Sequence, residues 1–280
     1  MIRPFIKWAG GKTRVLPDLL PLLPKGDCLI EPFVGGASVF LNTDFSSYVL
    51  ADINPDLINL YQCAAYETER LITTARDLFN GGNNADAYNG NRLSFNYQKS
   101  NPSIVTAALF LYLNRHGYNG MCRYNSKGDF NIPFGKYKKN YFPEQEIRQF
   151  AEKANDTKAV FSVADFRKTL TIVGINKSTV IYCDPPYLPA SDTANFTQYH
   201  NAAFTNEHHR QLAKYLKHVR YETDAAVVIS NSDTPATREI YQGFEFHEIA
   251  VQRSISANGI TRGAAKEVIG VLNARKLRHA

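Results

Sequence analysis

Cysteine is scarce in this chain of 280 residues, and the few that occur exclude two kinds of site. Cys28, Cys63, Cys122 and Cys183 are scattered, with no paired C-x-x-C spacing. This argues against structural zinc and an oxidoreductase disulfide, and suits reduced packing residues in a cytosolic protein without a metal. Long apolar runs are missing too. The longest good candidate, Ala107 to Leu113, falls well short of the roughly 18 residues of a membrane helix, and Met1 to Lys12 lacks the apolar stretch of a secretory signal. A soluble, cytoplasmic protein is expected. No internal repeat or low-complexity tract occurs.

Two phosphate-binding signatures are also lacking. Phe33-Val34-Gly35-Gly36 holds two glycines rather than the three of the dinucleotide fingerprint. Trp8-Ala9-Gly10-Gly11-Lys12-Thr13 fails the Walker A spacing, because the position five before Gly11 is Ile6. Acids are few in one stretch: between Arg115 and Tyr141 only Asp129 is acidic.

What is present starts with an apolar run, Val180 to Cys183, that stops at Asp184-Pro185-Pro186-Tyr187. The run suits a buried strand, and two prolines, lacking N–H groups and fixing φ, end its ladder. Asp184 is then expected at the carboxyl edge of a parallel sheet, where open α/β folds bind ligands. A carboxylate, prolyl carbonyls that only accept hydrogen bonds, and a ring for stacking match the amino group of a planar base. Accepting both amino hydrogens localises the nitrogen lone pair and makes it nucleophilic. Taken alone, the stretch also fits a plain strand-to-loop turn. The enzymatic reading requires Asp184 to stand at the mouth of a cofactor cleft and not be buried against a lysine.

Length and pattern predict one α/β fold with a sizeable insertion. Strands are expected at 28–30, 48–51, 159–163, 180–183, 225–229, 246–251 and 268–272, with helices from Ala37 and Pro55. Helical periodicity then runs to about residue 116, broken at 81–84 and 101–102. The implied division is 1–55 and 151–280 as one α/β domain and 56–150 as an inserted, mainly helical domain. In the first βα loop, glycines such as Gly35 let the backbone approach a ligand, and Asp52 ends the next strand about twenty residues on, where an acid can accept ribose hydroxyls. S-adenosylmethionine suits this better than NAD. A simple turn, and Asp52 as a cap on the next helix, are the alternatives. Lys7 and Lys12 suit contact with DNA or a methionine carboxylate, and Trp8, the one tryptophan, suits core or cofactor cover.

From 115 to 141 six basic residues (Arg115, Arg123, Lys127, Lys136, Lys138, Lys139) interleave with six aromatics. With net charge +6 overall, this reads as a nucleic-acid surface. Asn125 to Asp129 reads as a hairpin turn between arms 121–124 and 130–133, a ribbon that fits a major groove. A solvated basic loop with inward aromatics is the alternative.

Five blocks in order, Phe5-Ile6-Lys7-Trp8-Ala9-Gly10-Gly11-Lys12, Glu31-Pro32-Phe33-Val34-Gly35, Leu50-Ala51-Asp52-Ile53-Asn54, Asn114-Arg115 through Tyr118-Asn119-Gly120, and Asp184-Pro185-Pro186-Tyr187, give the chain its resemblance to Dam-type DNA adenine-N6 methyltransferases, which methylate adenine in GATC. The resemblance covers nearly the whole chain. It implies a Rossmann-like methyltransferase sheet with helices on both faces and the recognition insert. It also implies that Asp184 and the Pro185 carbonyl hold the amino group of a flipped adenine while Tyr187 stacks on it. Trp8, Ala9, Gly10, Phe33, Asp52, Ile53, Asp165 and Phe166 match positions of the S-adenosyl-L-methionine pocket. Lys7, Arg123, Pro133 and Tyr137 match GATC-reading positions, Tyr118 and Asn119 enter the duplex beside the evicted base, and Arg253 lies in a shared segment near the catalytic face. Val34-Gly35-Gly36-Ala37 reorders the glycines, Met121 replaces a leucine, and 81–91 departs from the family.

The expected chemistry is direct in-line attack of N6 on a sulfonium methyl, with Cys183 as packing and double-stranded DNA bound by a monomer. Rival readings are an amino-methyltransferase acting on cytosine N4, an RNA base or a glutamine amide, and a non-catalytic DNA-binding regulator.

Overall fold

The computed structural model describes residues 1–172, 174–188, 204–251 and 265–272. Seven strands form one sheet: β1 (Cys28–Glu31), β2 (Ser47–Asp52), β3 (Val160–Val163), β4 (Thr179–Cys183), β5 (Ala226–Ser232), β6 (Glu245–Val251) and β7 (Ala265–Leu272), in the order β3-β2-β1-β4-β5-β7-β6. The first five are parallel, while β7 runs antiparallel to both its neighbours. From β1 the chain winds outward to β2 and β3, then returns to β4 on the other side. The β1/β4 boundary is therefore a topological switch point, where such sheets form a crevice beyond their carboxyl ends.

The helices are α1 (Leu16–Leu19), α2 (Ser38–Leu41), α3 (Pro55–Tyr66), α4 (Thr68–Asn80), α5 (Ala85–Gln98), α6 (Ile104–His116), α7 (Glu144–Asp156), α8 (Phe166–Thr169), α9 (Asn206–Thr223) and α10 (Pro235–Ile240). Asn54 caps α3 by accepting from the N–H groups of Asp56 and Leu57, with Pro55 preset for the first turn. Ser103 and Thr106 close a capping box on α6, as do Thr205 and His208 on α9.

β4 is buried along its whole length because both sheet faces are covered. Val180 and Tyr182 join the core cluster shared with α3, α6 and α7, while Ile181 and Cys183 join the cluster under α9. That alternation explains an uninterrupted apolar strand. Cys183 is buried packing, and burial pushes its thiol well up.

The turn at 125–129 closes, with Asn125 N–H donating to the Asp129 carbonyl at 2.9 Å and Asn131 N–H to the Arg123 carbonyl at 3.1 Å around the antiparallel bridge of Tyr124 with Phe130. The arms pair over that short stretch only. Beyond it helix side chains take backbone groups: Asn96 bonds both N–H and C=O of Phe130, and Tyr88 and Arg92 donate to the Ile132 carbonyl. A continuous ladder between the arms would compete with those bonds. No described helix is long and apolar enough to cross a membrane.

Candidate active site

At the carboxyl edge, Glu31, Asp52 and Asp184 end or follow β1, β2 and β4. Asp52 ties two loops together: its Oδ2 accepts from Gly35 N–H at 3.1 Å and its Oδ1 from Asn54 N–H at 3.0 Å. Asn54 caps α3, so the capping alternative for Asp52 does not hold. The glycine pair has a packing reason besides any ligand. Gly35 sits at φ +45°, where a Cβ would come 2.9 Å from the Trp8 indole nitrogen, and one on Gly36 would come 3.1 Å from Trp8 Cβ. Phe33 stacks on Phe166 with centroids 5.9 Å apart. Asp165 caps α8 and binds Arg167 through Nε at 2.7 Å and Nη2 at 3.0 Å, while Ile53 is exposed.

The turn after β4 is held from β5: Leu188 N–H donates to Asn231 Oδ1 at 3.1 Å, and Ser232 Oγ donates to the Leu188 carbonyl at 2.6 Å. Tyr187 Oη donates to Glu267 Oε2 at 2.9 Å. The Asp184 carboxylate is not free. Its Oδ2 lies 2.7 Å from Lys12 Nζ, which also donates to the Gly10 carbonyl at 2.9 Å and stands 4.8 Å from the Tyr187 ring centroid. This corrects the requirement that Asp184 be clear of a lysine, and it gives Lys12 a partner other than DNA or a cofactor carboxylate. The physical reason is that the glycine turn at 10–11 folds the N-terminal segment over the sheet edge, where a carboxylate removed from water beside other acids is stabilised by a cation. Asp184 Oδ1 stays buried, with no hydrogen-bond partner among the described residues. Burial raises the Asp184 carboxyl to about 6 against the opposing charge of Lys12, with Glu267 adding to the rise.

Glu31 is buried, and its Oε1 also lacks a partner among the described residues. Burial pushes its carboxyl up to about 8, partly offset by a backbone bond at Phe40 and reinforced by Asp184. Because the folded pKa lies above the unfolded one, the native state holds the extra proton. Stability should therefore fall as pH rises from about 4.5 to about 8, by on the order of 1 kcal/mol per pH unit. Glu31→Gln should flatten that decline. Denaturant midpoints against pH would test it, and parallel curves for the two proteins would refute a buried proton on Glu31.

On the recognition side, Lys7 Nζ stands 4.2 Å from the Tyr137 ring centroid, and Tyr137 Oη accepts from Asn119 N–H at 2.8 Å. Asn119 adopts φ 54° beside the exposed Tyr118. The structure thus gathers Lys7, Asn119 and Tyr137. Arg123, Pro133, Lys138 and Lys139 are exposed nearby in sequence, with Arg123 Nε donating to Asn131 Oδ1 at 2.8 Å. Arg115 is half-buried, its guanidinium over Tyr141, and Asn125 spends its side-chain oxygen on the N–H groups of Lys127 and Asp129 within the turn. Arg253 lies outside the described residues.

Sequence reasoning missed Glu267, Asn231 and the inner placement of Glu31. Asn231 carried a signal, polar residues ending the apolar strand of β5. Glu267 carried none, standing one position before the strand expected at 268–272.

A sequence model for the D12 class N6 adenine-specific DNA methyltransferases matches residues 8–255. The DNA adenine methylase of Escherichia coli (strain K12) is 50% identical over 270 residues, covering 96% of this chain and 95% of that protein. Those of Haemophilus influenzae and Serratia marcescens are 47% and 46% identical, covering 98% and 96% of this chain and 95% and 98% of theirs. The acid-Pro-Pro-Tyr turn at the switch point and likeness over almost the whole length agree: this chain belongs to the D12 class of N6 adenine-specific DNA methyltransferases and is a DNA adenine methyltransferase.

Proposed function

We propose that the enzyme transfers a methyl group from S-adenosyl-L-methionine to N6 of the adenine in GATC, on duplex DNA, by extruding the base and passing the methyl directly. The observation that carries this reading is Asp184 Oδ1, a buried acceptor without a donor among the described residues, on a turn whose prolyl carbonyls can only accept.

The residues present fit the cofactor. Asp52 presents a carboxylate at the end of β2 beside the glycine loop, Phe33 and Phe166 offer an aromatic wall, and Trp8, Ala9 and Gly10 lie on the segment that folds over the same edge. Asp165 and Ile53 complete the proposed adenosyl side. S-adenosyl-L-methionine, when bound, supplies an electrophilic sulfonium methyl. The protein does the rest. Asp184 Oδ1 and the Pro185 carbonyl accept the two N6 hydrogens, so the nitrogen lone pair is withdrawn from the ring, and the Asp184 charge meets the positive charge that grows on N6. Pro185 and Pro186 keep these acceptors from rotating. Tyr187 stacks on the base, which pays back part of the unstacking cost of extrusion. Tyr118 and Asn119 fill the duplex where the base left, and Lys7, Arg123, Pro133 and Tyr137 read the site while Arg115, Asn125, Lys138, Lys139 and Arg253 serve the DNA side. The enzyme acts as a monomer in this reading, visiting each strand of the palindrome in turn, and 56–150 carries most of the recognition surface.

Labelled S-adenosyl-L-methionine with a GATC duplex and a scrambled duplex tests the reading. Methylation restricted to the GATC adenine is expected, and equal labelling of both duplexes would refute the site assignment. Arg123→Ala should relax discrimination at one position of the site, at about 1–3 kcal/mol. Rates on single-base variants would measure it, and uniform weakening on every sequence would make Arg123 a phosphate contact.

A further inference from the structure

The parallel strands β4 and β5 end at the ligand edge, so it is the beginning of antiparallel β7 that meets them there. Glu267 sits in that beginning, opposite Ser232 of β5 and Ile249 of β6. Its Oε2 accepts from Tyr187 Oη at 2.9 Å. The chain just after Tyr187 is pinned as well, through Leu188 to Asn231 and Ser232. A tyrosine ring is otherwise free to turn about χ1 and χ2. Here the backbone is held at one end and the hydroxyl at the other.

We propose that Glu267 is a positioning residue of the target-base pocket: its carboxylate, delivered by the antiparallel strand β7, fixes the plane of the Tyr187 ring and sets the charge beside Asp184. The inference rests on the reading that Asp184 and Tyr187 hold the base. Several groups share the field around Asp184. Lys12 opposes its protonation, Glu267 favours it, and Glu31, Tyr182, Cys183 and Tyr187 each feel its charge. Burial is the larger cause of the raised Asp184 carboxyl, with Glu267 adding a negative neighbour. Neutralising Glu267 therefore lets Asp184 ionise at lower pH. Since the ionised carboxylate is the better acceptor for N6 hydrogens, the acid limb of the rate profile should move the same way.

The experiment measures single-turnover methylation of a GATC duplex from about pH 5 to about pH 9, with kcat and KM for DNA, on the full-length enzyme. Glu267→Ala should lower the rate roughly 10- to 100-fold with little change in KM, as expected when a base-contacting ring loses its plane. Tyr187→Phe should reproduce that loss, and the double variant should add little to it. Glu267→Gln, whose amide oxygen still accepts from Tyr187, should recover most of the rate while its acid limb lies below that of the unaltered enzyme. A wild-type rate for Glu267→Ala, or an unshifted acid limb for Glu267→Gln, would overturn the proposal. If Glu267→Ala does not fold, the Glu267→Gln profile decides alone. Asp184→Ala separates the two readings. Turnover retained there removes the base-holding reading itself, whereas loss there with unaffected Glu267 variants removes only the role of Glu267.

Discussion

Asp184→Ala is expected to bind the GATC duplex within a few-fold of the unaltered enzyme and to lower the single-turnover rate of methylation by at least about a thousandfold. The rate effect follows from what one oxygen does. Oδ1 is buried and has no donor among the described residues, so on the proposed mechanism it can receive an incoming amino group. An amino nitrogen conjugated with a purine is a poor nucleophile until its hydrogens are drawn into acceptors, and removing the charged acceptor takes away stabilisation that exists mainly in the transition state. The substitution also strands Lys12, a cation only 7% exposed at its side chain, so Asp184→Asn is the needed companion. Asparagine keeps an acceptor oxygen and loses the charge, and should fall between the two. Duplex anisotropy, rapid-quench methylation and thermal melting would read binding, chemistry and folding separately. Turnover within about tenfold of normal for the alanine variant would remove Asp184 from the centre of the mechanism.

Asn114→Ala should destabilise the fold by about 2–4 kcal/mol, the largest effect on stability expected of a single polar truncation here. Asn114 is 1% exposed and uses both ends of its amide. Its Oδ1 accepts from Lys7 N–H at 2.8 Å, and its Nδ2 donates to the carbonyls of Lys7 at 2.7 Å and Gly120 at 3.1 Å. Truncation leaves three backbone groups without their partner. The same side chain joins the N-terminal segment to the loop bearing Tyr118 and Asn119, where the fit is close: at Gly120, with φ +61°, a Cβ would come 2.3 Å from that of Lys7. On the proposed reading, in which Lys7 contacts a base of the site, loosening this joint should also blunt discrimination at that base. Urea unfolding with an unchanged m-value would measure the first effect, and rates on GATC variants the second. A midpoint shift worth less than about 1 kcal/mol would show that water replaces the amide.

Much of the fold was legible because its signals are local. The strand that ends in Asp184 was readable from four apolar residues stopped by two prolines, and the α3 start from Asn54-Pro55. The 125–129 turn is legible from its own residues, but the arms pair only beside it. Their other partners are Tyr88, Arg92 and Asn96 on α5, tens of residues away, and nothing local announces such a claim on a backbone. The pairing of Asp184 with Lys12 was misjudged in a more instructive way. A buried lysine partner was held to be incompatible with catalysis. Family membership overrules that, and the lysine leaves one carboxylate oxygen without a partner among the described residues.

The linear order of residues determined the strand-turn chemistry at Asp184-Pro185-Pro186-Tyr187, the caps, the basic aromatic stretch and the family, since each depends on neighbours a few positions apart or on matched blocks. Tertiary structure alone decided which charges meet. Lys12 reaches Asp184 across 172 positions and Glu267 reaches Tyr187 across 80, through a turn that folds over the sheet edge and an antiparallel strand that enters it from the far side. Ionisation of the buried acid depends on those contacts, because in a site removed from water the nearest charges set the energy of a carboxylate, and sequence distance does not report them.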